Sequence, residues 1–440
     1  MSLKTKEKIT LFWFRRDLRL HDNAGLYYAL RWKTPVVPVF IFDKTILDDL
    51  DNKEDRRLTF IHQNVVALQK ELNQIGSDIL VFYGHPTDVW KELSEQYDIA
   101  EVFTNTDYEP YATERDTAVA KILHTKNAEL KAYKDQVIFE KKEILSAQNT
   151  PYTVFTPYSR MWRQQCNDFY LSSYPNEKYF KNFLKWTGSE IPTLEQMGFK
   201  RTDEDFPSSK IPAELLENYE KGRDFPAMEA TSRIGIHLRF GTVSIRELAR
   251  YAMQHSNLYL NELIWREFYQ QILSNFPHVG KGKAFRAPYD DIEWGYDKDA
   301  FQKWCDGKTG YPLVDAGMRQ MNAIGFMHNR VRMVTASFLS KHLLLNWRLG
   351  EAYFAEKLLD YDMAANNGGW QWAVGSGTDA APYFRIFNPE AQAKKFDPKG
   401  EYIKKWVPEI GTAAYPEPMV DHKMARERCL KAYKKALEKS

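Results

Sequence analysis

At 440 residues, with 43% hydrophobic and 27% charged residues, the chain is long enough for two domains and ordinary for a folded protein. Its formal net charge of +2 provides no global attraction for nucleic acid, so any such surface must come from local clustering of Lys and Arg. Cys166, Cys305 and Cys429 are odd in number and lack CxxC spacing. That pattern argues against a disulfide framework and a structural metal site, and predicts a cytoplasmic location.

The first third alternates short apolar runs with amphipathic stretches. Ile9–Phe14, Val36–Phe42, Ile79–Tyr83 and Glu101–Thr104 are predicted strands, with a weaker one at Gln136–Phe139. The run at Ile9, closed by Arg15 and Arg16, is too short for a signal peptide or a membrane span. Helical spacing appears over Leu58–Ile75, Pro86–Tyr97 and Thr113–Lys126. Strand–helix alternation predicts an α/β domain with a doubly wound parallel sheet over residues 1–135. No G-x-G-x-x-G turn follows the first strand, so a dinucleotide site of the Rossmann kind is not expected there. Residues 136–210, where the pattern breaks from about residue 145 into Pro-, Ser- and Asn-containing segments, are predicted to form a long connector. Residues 211–440 read as an all-helical domain, with helices at Ile245–His255, Leu258–Asn275, Leu313–Ile324, Asn329–Leu344 and Glu351–Leu358. A basic, solvated helix is expected over Asp421–Ser440.

Chemistry concentrates in this second half. Between Leu359 and Pro389, Asp360 and Asp362 precede Asn366 and Asn367, two glycines, then Trp370 and Trp372. A core helix has no need of so many polar groups, and clustering of this kind suggests a polar ligand that pairs with them; a capped turn with a solvated acidic loop is the alternative. In YLNELIWREFY (259–269), Glu262, Trp265, Arg266 and Tyr269 share one helix face, although a surface Glu262–Arg266 pair with a core Trp explains them equally well. Thr231–Gly235 has the make-up of a helix start, either a phosphate-binding one or simply an N-cap. Arg223, Arg330, Arg385, Lys394 and Lys395 interleave with Tyr383, Phe384, Phe387 and Phe396, which suits a nucleic-acid patch or a solvated surface.

These segments resemble the photolyase/cryptochrome family almost end to end: FWFRRDLRLHDN (12–23), NELIWREFY (261–269), KTGYPLVDAGMRQM (308–321), MHNRVRM (327–333), AANNGGWQWA (364–373) and KFDPKGEYIKKWVPEI (395–410). The likeness is closest to the class I branch. It implies that the helical domain binds FAD. The positions matching flavin contacts are Tyr219, Thr231, Ser232, Arg233, Ile234, Gly235, Tyr259, Arg266, Asn329, Arg332, Asp360, Asp362 and Asn366, with Thr231–Arg233 at the pyrophosphate and an Arg332–Asp360 pair beside the ring. It further implies light-driven repair of cyclobutane pyrimidine dimers in DNA, the flipped lesion packing on Trp265 and Trp372 with Met333, Asn329 and Asn366 nearby. Glu262 would hydrogen-bond the lesion base, and to donate it would have to be buried enough to keep its proton. Trp370, Trp347 and Trp294 match an electron-hopping chain.

Cryptochromes share the fold but act as blue-light receptors, the alternative function. Asn366 is the photolyase type at its position, and Asn329 and Met333 stand where six-four photolyases resemble a histidine pair. Tyr361 replaces a Gly of the best-known class I enzymes. Tyr111 and Ala112 replace the pair that resembles a folate site, so the antenna chromophore (folate, deazaflavin or another) is left open. DNA carrying dimers is the expected partner, with no membrane association and a monomeric protein.

Overall fold

The structure, a computed structural model, describes residues 3–203 and 205–438 and divides into two compact units. The first comprises the chain up to Glu140, Gln165–Lys210 and Ile234–Tyr251; the second comprises Lys141–Gln164, Ile211–Arg233 and Ala252 onward. The stretch read as one connector is thus divided, with 141–164 packed in the second unit and 165–210 in the first.

In the first unit, strands β1 (Ile9–Phe14), β2 (Val36–Asp43), β3 (Leu80–Gly84), β4 (Ile99–Asn105) and β5 (Leu130–Tyr133) form one parallel sheet in the order β3-β2-β1-β4-β5. Helices α1 (Ala24–Leu30), α2 (Arg56–Gln74), α3 (Pro86–Gln96) and α4 (Pro110–His124) connect the strands. Every residue of β1 and β2 is buried, which is why both read as unbroken apolar runs. The strand order reverses between β1 and β4, where doubly wound sheets place ligands. Internal pairs occupy the strand ends there: Asn105 Nδ2 donates to Asp17 at 2.6 Å and to Asn23 at 2.8 Å, and Arg16 pairs with Asp107 at 3.1 Å.

One strand differs from expectation. Gln136–Phe139 is buried but forms no strand of the sheet, and the fifth strand is Leu130–Tyr133 at the sheet edge. An edge strand is only partly covered, so its sequence, LKAY, lacks the apolar run that marks the inner strands.

The second unit is helical: α5 (Phe155–Gln165), α6 (Asn257–Asn275), α7 (Pro312–Ile324), α8 (Asn329–Ser337), α9 (Trp347–Lys357), α10 (Met363–Val374) and α11 (His422–Leu437) carry most of it. Side-chain caps fix the starts: Ser256 Oγ accepts from Tyr259 N, His328 Nδ1 from Arg330 N and Asp362 from Ala365 N. The helix expected over 329–344 is interrupted. After Ser337, residues 338–342 take a wider π turn, and Leu344 has φ +54. The apolar spacing runs on because Lys341 and His342 are themselves buried, Lys341 Nζ donating to the Arg385 carbonyl at 3.0 Å. α11 is not wholly solvated either: Ala425, Cys429, Tyr433 and Ala436 form a buried stripe, while Ser440 lies outside the described residues. No helix among the described residues is long and apolar enough to cross a membrane.

Within the first unit a fully buried ionic network fastens the helix Ile245–His255 to the sheet. Asp135 accepts from Arg19 at 2.7 Å and from Arg246 at 2.8 Å, and Arg246 Nε donates to Asp22 at 2.9 Å. Burial opposes the charge on Asp135, but the two guanidinia outweigh it and hold its pKa at about 2. Asp135→Ala leaves two buried cations short of a partner and lowers stability by about 3–5 kcal/mol, read as a drop in the urea midpoint. In the wild type this contribution is complete above the ordinary value of 3.8 and is lost as pH falls through about 2, a loss that acid titration of the unfolding midpoint detects.

Candidate functional site

Helix α6 organises the site, because i+3 and i+4 spacing puts Tyr259, Glu262, Trp265, Arg266 and Tyr269 along one face. At its start the Tyr259 hydroxyl lies 2.8 Å from Ser232 Oγ, and the Tyr259 ring meets Tyr219 edge-on at 5.1 Å. Midway, the half-buried indole of Trp265 lies flat on Phe155 of α5, with centroids 3.6 Å apart and planes at 5°. Phe155 was not singled out from sequence, since a phenylalanine at the start of an amphipathic helix carries no mark of function. Farther along, the Tyr269 ring presses on Gly368 of α10, where an added Cβ would come within 2.1 Å of the ring. Burial pushes the phenol pKa values of both Tyr259 and Tyr269 up, so both stay neutral donors.

Glu262 is part-exposed and accepts from Arg223 Nη1 at 2.5 Å. Arg266 sits half-buried on the same helix.

On α10, Asp362 accepts from Gln270 at 3.0 Å as well as capping the helix. Asn366 donates through Nδ2 to the Glu351 carbonyl at 3.1 Å, which leaves its Oδ1 with no donor among the described residues. Asp362, Asn366 and Gly369 recur along one stripe, and a Cβ at Gly369 would meet nothing within 4 Å, so a flat group has room to approach the backbone. Beside this stripe Arg332 Nη2 reaches both oxygens of Asp360, at 2.9 and 3.0 Å, and its Nε donates to the Met327 carbonyl at 2.7 Å. Arg233 and Arg332 share the Phe326 ring, at 4.9 and 5.8 Å. Arg233 has φ +51, a conformation that non-glycine residues hold only under constraint, and it has no ion-pair partner among the described residues. An unpaired guanidinium beside Arg332, after the hydroxyls of Thr231 and Ser232, suits a diphosphate; together with the open stripe on α10, these residues fit FAD. Ile234 and Gly235 begin the helix Gly235–Phe240 of the first unit.

Asn329 is exposed at the first position of α8, and Met333, one turn on, lies 3.9 Å from Arg330 Nη1. Trp372 is half-buried and faces Phe387 at 6.4 Å. Arg330 and Lys395 both stand over Phe396, at 4.3 and 5.1 Å, and Arg385 and Lys394 are exposed. Trp347 and Trp370 share a buried aromatic cluster in which the Trp370 ring occupies the space a side chain at Gly350 would need, and Trp294 packs against that cluster beside Tyr433. Among the expected antenna positions of the first unit, the Tyr111 hydroxyl donates to Asp43 at 2.7 Å and Ala112 is buried.

Residues 10–177 match the family described as DNA photolyase, and residues 259–413 match the FAD binding domain of DNA photolyase. The chain is similar to the deoxyribodipyrimidine photo-lyase of Halobacterium salinarum, with 36% identity covering 97% of this chain and 99% of that one. It is also similar to a crystal structure of a bacterial class III photolyase from Agrobacterium tumefaciens, with a TM-score of 0.86 and 33% identity over 100% of this chain and 99% of the other. A cryptochrome from Synechocystis sp. aligns with a TM-score of 0.82 and 25% identity, over 98% and 100%.

A carboxylate that sequence reasoning passed over sits under α10. Glu351 accepts from Asn367 Nδ2 at 2.8 Å, and burial raises its pKa to about 7 although Asn367 and Arg348 pull the other way. A raised value in the folded state means stability that is full below the ordinary 4.5 and is lost as pH rises through about 7. Thermal midpoints measured across that range should fall for the wild type and stay flatter for Glu351→Gln.

Proposed function

Because the chain belongs to the DNA photolyase family, we propose that it is a light-driven DNA repair enzyme that binds FAD in its helical unit and splits cyclobutane pyrimidine dimers. The supporting observation is that one face of α6 joins the two halves of the chemistry: Tyr259, tied to Ser232 near Arg233, which has no ion-pair partner among the described residues, and Trp265, stacked on Phe155 with its half-exposed indole held rigid.

When bound, FAD supplies the light-driven one-electron chemistry that no amino-acid side chain of the site provides. The protein's part is to hold, orient and exclude water. Arg233, Thr231 and Ser232 take the diphosphate; the Arg332–Asp360 pair and the Asn366 carbonyl oxygen line the ring. Tyr219, Arg266 and Asp362 complete the lining. A dimer inside a duplex cannot reach such a site without leaving the stack, and its distorted, weakly paired bases make that exit cheaper than for intact DNA. Trp265 and Trp372 serve as the apolar walls for the flipped lesion, Met333 and Asn329 as its rim, and Glu262 as the polar contact to a base edge. Arg223, Arg330, Arg385, Lys394 and Lys395 are assigned to phosphates. Trp370, Trp347 and Trp294 are assigned to electron supply from the surface. The thiols of Cys166, Cys305 and Cys429, which are not in disulfides, fit a cytoplasmic enzyme, and we take it to act as a monomer.

The likeness to a cryptochrome supports a second reading, a blue-light receptor. One assay separates them: illuminate the reduced holoprotein with a dimer-containing oligonucleotide and follow the return of intact thymine absorbance. Light-dependent recovery is expected, and its absence, with light-driven conformational change and no lesion preference, would favour the receptor. Glu262→Ala should weaken lesion binding by about tenfold, the value of one hydrogen bond to a charged group, while flavin content stays at the wild-type level. Loss of flavin would show that the residue belongs to the cofactor instead.

A further inference from the structure

Arg223 and Asp224 are neighbours just past the short helix Tyr219–Gly222, and each makes an ion pair with a different helix. Arg223 pairs with Glu262 of α6 at 2.5 Å; Asp224 Oδ1 accepts from Arg330 Nη2 of α8 at 2.6 Å. The side chains are 18% and 31% exposed in the first pair and 22% and 42% in the second. Pairs this accessible contribute little to stability, so folding alone gives a weak reason for placing carboxylates on two arginines assigned to DNA.

Their effect on DNA is larger. A free guanidinium gains affinity for any phosphate by releasing counterions, irrespective of sequence or damage. A guanidinium already neutralised by a carboxylate must first give up that partner, and so gains less from undamaged duplex. The two pairs differ in how they can be released. Glu262 faces the site and can exchange Arg223 for a lesion base edge, which frees Arg223 at the moment the lesion enters. Asp224 has no role toward a base. It holds Arg330, which already rests over Phe396 at 4.3 Å and lies 3.9 Å from the sulfur of Met333.

Resting on the repair reading above, we propose that Asp224 is a specificity-determining residue: it masks Arg330 against undamaged DNA, so that the full phosphate grip forms only when an occupied lesion site repays the lost ion pairs. This is discrimination by a cost placed on the wrong partner.

The test is dark binding of the full-length holoprotein to two matched duplexes, one with a single thymine dimer, across a salt series. Asp224→Asn should bind the undamaged duplex about fivefold more tightly, with a log–log salt slope steeper by about 0.9, the signature of one additional phosphate contact. The lesion duplex should change less, so that lesion preference falls about threefold, and Asp224→Glu, which keeps the charge, should behave as wild type. Unchanged binding of undamaged duplex by Asp224→Asn, or equal strengthening on both duplexes, would overturn the proposal. A wild-type protein with no preference for the dimer would instead remove the repair reading itself.

Discussion

The contact between Tyr269 and Gly368 sets the spacing between α6 and α10, and the candidate site depends on it. Any side chain at Gly368 would collide with the ring at 2.1 Å. With that approach allowed, the face of α6 that carries Tyr259 and Trp265 is held in fixed relation to the stripe of α10 that carries Asp362 and Asn366. A second fixed point is the Gln270–Asp362 hydrogen bond, which links the two helices one residue along α6 and six along α10 from the ring contact. Backbone approach and a buried polar bond together leave these helices little freedom to slide, which is what a site needing fixed distances requires.

Charge is distributed unevenly, and the unevenness has a physical reading. In the first unit the ions that fasten Ile245–His255 are buried almost completely, and partners at 2.7–2.9 Å surround them. Loss of one member there is costly because the others stay behind in a low dielectric. Arg223, Arg330 and Arg332 of the second unit are paired but accessible, so their partners can be exchanged. Arg233 departs from both patterns, with a backbone in the left-handed region and no countercharge among the described residues. Arg332 next to it is neutralised by Asp360, so the surplus positive charge falls at one place. Asn366, whose Nδ2 is committed to the Glu351 carbonyl, supplies an acceptor instead of a charge.

Much of the fold was legible in the sequence. Strands buried on both faces must be apolar throughout, so β1 and β2 declared themselves, and helical spacing did the same for α6 and α7. The edge strand Leu130–Tyr133 did not, because half-covered residues are free to be polar. The break after Ser337 was hidden as well: a π turn keeps the same apolar residues inward, and Lys341 passes for a surface residue until its buried bond to the Arg385 carbonyl is seen.

The same division holds for the site. Periodicity alone placed Glu262, Trp265 and Arg266 on one face, and the motifs alone pointed to FAD and DNA. Apart from the Arg332–Asp360 pair, which the resemblance implied, which charges neutralise which was decided only by the tertiary structure. The Arg223–Glu262 and Asp224–Arg330 pairs join residues 39 and 106 positions apart in the chain. Electrostatic and stacking partners are set by distance in space, and sequence separation carries no information about that distance once the chain folds back on itself.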